Sequence, residues 1–145
     1  MLVELLNKIR DMETAMMSTG SFIENYNDAK GYYHRSHQFL EEGHRASLVF
    51  NVAAIALEKY LIALCNLHGI SPENHTYTWL VYELATVMSI PSELKKEIQS
   101  MDIIFGICSI ENYNHQSPGI TDRDRIMLMC SEVQKLIQQS MTAME

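Results

Sequence analysis

The stretch "LVFNVAAIALEKYLIALCNLHG", Leu48 to Gly69, decides the fold. It is the least polar run in the chain, it shows no period-two alternation, and Gly69 followed by Pro72 stops it. The pattern predicts a helix from about Ala46 to His68. Length and apolarity alone would also fit a membrane span. Glu58 and Lys59 stand at its middle, however, and each charge at the centre of a spanning helix costs about 2.5–3.5 kcal/mol. Asn51 and Asn66 add to that cost. The reading is therefore a buried helix of a bundle, not a membrane segment.

A helix apolar on every side must be covered on every side. In a small bundle each helix normally keeps one wet face, so a second copy of the chain is the simplest extra cover. A homodimer through this helix is the expectation. Its polar residues are ordered: Ser47, Asn51 and Glu58 recur at four and seven residues and so lie on one line. Lys59 is turned about 100° from Glu58, and the two cannot pair with each other. Each needs a partner from another helix or chain, or a packed stem with its tip in water. Asn51, Glu58 and Lys59 are the candidate cleft residues.

Outward from this helix the chain reads as further helices. Leu5, Ile9, Met12 and Met16 form a helical stripe interrupted by Gly20. A second segment, from Ser21 to a stop at Gly43, would turn Phe22, Tyr26, Ala29, Tyr33, His37 and Leu40 inward. A short helix is expected from Thr78 to Met88, then one from Ser92 with Leu94, Ile98, Met101, Phe105 and Cys108 on one side. Glu111 to Gly119 reads as a loop. The last helix follows Thr121, with Thr121 and Asp124 at capping-box spacing and a stripe of Ile126, Met129, Val133, Ile137, Ser140 and Met144. The fold class is all-α: an up-and-down bundle of four to five main helices plus a short one. It forms a single domain over residues 1–145, with 1–20 as an extension of the core, and sequential neighbours run antiparallel.

The totals agree. The 145 residues include ten Met but only six Gly and three Pro, as suits helices with few turns, and can bury one core. The net charge of −7 disfavours a generic electrostatic grip on nucleic acid, which leans on clustered Lys and Arg. Cys65, Cys108 and Cys130 are odd in number, widely spaced and flanked by apolar residues, so they read as buried free thiols of a cytoplasmic protein. The N-terminal residues mix acids with apolar residues and lack the core of a signal peptide.

"AIALEKYLIALCNLHGI" resembles the signature helix of HEPN domains, in which an apolar run carries Glu-Lys and ends at a Gly-terminated turn. Upstream "YYHRSHQFLEEGHRASLVFNVA" looks like that family's helix, short turn and small-residue stretch. Downstream "PENHTYTWLVYEL", with His75, is similar to its His-containing start of a short helix. The resemblance spans roughly Ser21 to Ser140. It implies a dimerising helical bundle, often a metal-independent endoribonuclease of toxin or defence systems paired with a minimal nucleotidyltransferase, and sometimes an inactive binding module.

Active members of that family carry Arg, four to six residues, then His near the last helix. The His accepts the 2′-hydroxyl proton and the Arg steadies the charge developing on phosphorus. Here the segment reads "IENYNH": His115 takes the His place, with Asn112 beside it, but Ile110 stands where Arg is expected. Losing one such stabilising group typically costs about 2.7–4 kcal/mol of transition-state stabilisation. Arg123 and Arg125 follow nearby and read as solvated residues of an acidic first turn. The resemblance thus implies a degenerate, non-catalytic module for nucleotide- or RNA-related binding or interaction, without a cofactor. The alternative is an endoribonuclease using His115. A second alternative is a metal-binding bundle, since His37, Glu41 and His44 have helical and E-x-x-H spacing; a di-iron site would need that pair twice.

Overall fold

A computed structural model of the chain describes residues 1–104 and 117–145, with side chains for all of these but 13–20. Five helices are present among the described residues: α1 (Leu2–Glu41), α2 (Ala46–Leu67), α3 (Tyr77–Ala85), α4 (Ser92–Ile104) and α5 (Ile120–Ala143). The fold is an all-α bundle. Phe105, Cys108, Asn112 and His115 lie outside the described residues.

α2 is the hub and packs against α1, α3 and α5. Side chains from nearly its whole length are buried, among them Phe50, Leu57, Tyr60, Leu61 and Leu64. It is long and apolar enough to cross a membrane, yet most of it lies inside the bundle. α1, α3 and α5 cover most of its circumference and leave one strip open.

α1 and α2 are antiparallel, as Asn25 near the middle of α1 donates to Asn66 at the end of α2 (2.9 Å) while Tyr33 faces Tyr60. The reversal uses Gly43 at φ 78°, where the His44 N–H reaches back to the Phe39 carbonyl. Gly69 at φ 80° ends α2 in the same way, with the Ile70 N–H on the Cys65 carbonyl. α5 then lies along α2 in the same direction: the Cys130 thiol meets the Ala53 carbonyl, and Ser140 meets His68. The intervening α3 and α4 make that parallel placement reachable.

The break expected at Gly20 does not occur. α1 runs through it for 40 residues, roughly 60 Å against roughly 33 Å for α2. A glycine costs a helix only about 1 kcal/mol relative to alanine, which a long helix anchored at one end absorbs. Asn25 already reaches the end of α2, so the N-terminal part of α1 projects past the bundle. Its stripe of Leu5, Ile9 and Met12 is exposed. At 3.6 residues per turn this stripe points roughly a third of a turn away from buried Phe22 and Ala29.

Two further stripes shift in detail. On α1, Ser36 rather than His37 follows Tyr33 into the core, donating to the Tyr33 carbonyl (2.6 Å) and to Met127 Sδ (3.3 Å). On α5, Ile126, Met129, Val133 and Ile137 are buried as expected, whereas Met144 is exposed. The helix is capped two residues early: the Asp122 carboxylate accepts the Gly119 N–H (3.1 Å), while Asp124 instead pairs with Arg123. α3 is shorter than expected and begins where the Thr76 hydroxyl accepts the Trp79 N–H.

Candidate functional site

The open strip of α2 holds the candidate cleft residues. Asn51 is exposed, Ile55 keeps 41 % of its surface in water, and Ser47, Val52, Glu58 and Lys59 are half-buried. Apolar Ile55 thus sits among polar residues. Glu58 lies on the α3 side, close enough for its charge to add to burial in raising the phenol pKa of Tyr77. Neither Glu58 nor Lys59 forms an ion pair among the described residues. Both are half-buried, as long charged side chains are when their stems pack on apolar surface and their heads stay wet.

On the other flank of the strip, α1 and Val52 enclose a groove of about 430 Å³ lined by Asp28, Gly31, Tyr32, Arg35 and Phe39. Tyr32 is 40 % exposed, and nothing lies within 4 Å of where a Cβ on Gly31 would stand. The Arg35 guanidinium rests over the Phe39 ring at 5.6 Å. These groove residues escape the hydrophobic pattern because they occupy the outward side of α1. A glycine in mid-helix flanked by Tyr, Asp and Arg is the signal that marks them.

Beneath the strip lies an aromatic cluster. Tyr60 is fully buried between Tyr26 and Tyr33, each with its ring centroid 6.1 Å away. Its hydroxyl has no hydrogen-bond partner among the described residues. Burial, then the nearby Cys130 thiol, pushes its pKa well above the usual phenol range. The same two causes raise Tyr33, with a hydrogen bond to Ser131 opposing them. Burial also raises the Cys130 thiol and pushes Cys65 up to about 12. A thiol held in this way is a poor nucleophile, so both act as core residues.

The remaining polar candidates are tied into structure. Asp102 on α4, a residue the sequence pattern did not single out, is 2 % exposed and caps α3. Its two carboxylate oxygens accept the N–H groups of Tyr77 (3.0 Å) and Thr78 (2.8 Å). Arg125 is not a free cation of the first turn, because it joins Glu97 (2.9 Å) and Ser100 (3.3 Å) on α4. Arg123 likewise pairs with Asp124. His75 is exposed, and its neighbours Asn74 and Thr76 do the capping.

The metal-site reading loses its geometry. The turn at Gly43 brings His44 Nε2 to Glu42, at 3.0 Å, rather than into a set with Glu41, and His37 sets its ring edge-on to Tyr33. No group of three metal-ligating side chains occurs among the described residues.

No family model, curated protein or solved structure matches this chain. The site must be read from its own chemistry. Among the described residues it offers an apolar strip, a small open groove and charges at their rims, an arrangement suited to contact with another macromolecule.

Proposed function

We propose that the chain is a HEPN-like, non-catalytic interaction module that acts as a homodimer. The observation that carries this reading is the strip on α2: Ile55 stands open to water amid Asn51, Glu58 and Lys59 on a helix otherwise buried by its own chain. A central apolar anchor with polar neighbours is the anatomy of an interface core and rim. The absence of Arg at position 110 supports the non-catalytic part. A nucleotidyltransferase-type protein is the further partner that the resemblance implies, with nucleotide or RNA as the bound ligand.

Light scattering on the purified chain at micromolar concentration tests the assembly. The wild type is expected to be a dimer, and Ile55→Arg a folded monomer, since Ile55 is exposed and its replacement leaves the core intact. Ala54 is the wrong position for this test, because at 4 % exposure an Arg there would break the fold itself. A wild-type monomer overturns the reading. RNA degradation compared between wild type and His115→Ala tests the rest: equal background supports a non-catalytic module, and loss of cleavage only in the variant refutes it.

A further inference from the structure

The segment "DAKGYYHR", Asp28 to Arg35, has a hidden two-fold pattern. Asp28 stands three residues before Gly31, and Arg35 stands three residues after Tyr32. If α1 is laid antiparallel on a copy of itself about an axis between Gly31 and Tyr32, Asp28 meets Arg35 of the second copy and Arg35 meets its Asp28. Tyr32 meets Gly31 in both directions. An interface about a two-fold axis requires this reciprocity: residue i touches j while j touches i.

The shapes match as well as the charges. Asp28, Gly31, Tyr32 and Arg35 line one open groove. The missing side chain at Gly31 leaves open space, and Tyr32, exposed and aromatic, is the nearest large side chain to fill the same space on a copy. Packed helices stand about 8–10 Å apart, and glycine at the crossing favours the lower end of that range. Neither Asp28 nor Arg35 has an ion-pair partner within its own chain among the described residues; the contact Arg35 keeps there is with the Phe39 ring. Tyrosine and arginine are also the side chains in which interface anchors are enriched.

We infer that a second copy of this chain docks on the α1 groove, with the two-fold axis passing between Gly31 and Tyr32. This rests on the homodimer reading and fixes its register: Tyr32 fills the partner's groove, two Asp28–Arg35 pairs flank it, and Val52 of α2 closes one side, with Ile55 next along the open strip.

Sedimentation velocity on the full chain across a concentration series decides the matter, with circular dichroism confirming that each variant is folded. Asp28→Arg or Arg35→Asp alone sets like charges face to face twice per dimer and should weaken dimerisation at least tenfold. The double exchange Asp28→Arg with Arg35→Asp restores opposite charges and should return affinity to within about threefold of wild type. Gly31→Leu fills the groove in an exposed helical position; it should keep its helicity yet be monomeric. A dimer indifferent to the single exchanges overturns this register while leaving the homodimer standing. Weakening without rescue by the double exchange overturns the Asp28–Arg35 pairing, and a wild-type monomer overturns both readings.

Discussion

Replacing Tyr60 by Phe should make this protein more stable, which is unusual for a fully buried side chain. The ring stays in place, and its contacts with Tyr26 and Tyr33 survive. Only the hydroxyl is lost, and it has no partner among the described residues. Burying an unpaired hydroxyl costs about 1–3 kcal/mol in proteins, so the variant should gain about 1 kcal/mol, or about 3–4 °C in melting temperature for a chain of this size.

The gain should widen in alkali. Burial raises the Tyr60 pKa in the folded protein, whereas an unfolded tyrosine ionises near pH 10. The folded state therefore holds a proton that the unfolded state releases, and stability falls by up to about 1.4 kcal/mol per pH unit above pH 10. Phe removes that loss, while the other buried phenols and thiols contribute equally to both proteins and cancel. Urea melts at pH 7.5 and pH 10.5, followed by far-ultraviolet circular dichroism, measure both effects. Tyr77→Phe is the control of opposite sign, since its hydroxyl donates to the Ala54 carbonyl at 2.8 Å and should cost about 1 kcal/mol when removed. A Tyr60→Phe protein less stable than wild type by about 1 kcal/mol at neutral pH would show that the hydroxyl is paired, and would refute the reasoning.

Asp102→Ala strips the partners from two backbone N–H groups at the start of α3 and should cost about 2–4 kcal/mol in urea denaturation, with Asp102→Asn losing less because one acceptor remains. The wild type should begin to lose stability near pH 9, where unfolded thiols ionise while Cys65, pushed up to about 12, stays protonated in the fold. Urea midpoints at pH 7, 9 and 10 follow this, and a flat profile would contradict the burial of the thiols.

The hydrophobic pattern made most of the fold legible. The α2 run, its glycine stop at Gly69 and the buried stripe of α5 needed nothing but local chemistry. Gly20 misled because propensity is a weak local term and the rest of α1 overrides it. His37 misled because a repeat of four followed by four drifts off a 3.6-residue helix, so Ser36 takes the inward place. The role of Asp102 was not readable, since it caps a helix 24 and 25 residues earlier in the chain. Of the candidate site, Asn51, Glu58 and Lys59 lie on the open strip of α2, while Asn112 and His115 lie outside the described residues. The groove around Gly31 escaped because outward-facing residues carry no periodic signal.

The placement of α5 has a consequence for how the molecule is made. α2 ends at Leu67, but the helix that lies along it from Ala53 to His68 does not begin until Ile120. At roughly 5–20 residues per second, a ribosome needs several seconds to bridge that interval. Throughout it the nascent hairpin of α1 and α2 holds the apolar flank of its central helix bare. Chaperone capture of the growing chain belongs to that window, and it should end once α5 clears the exit tunnel.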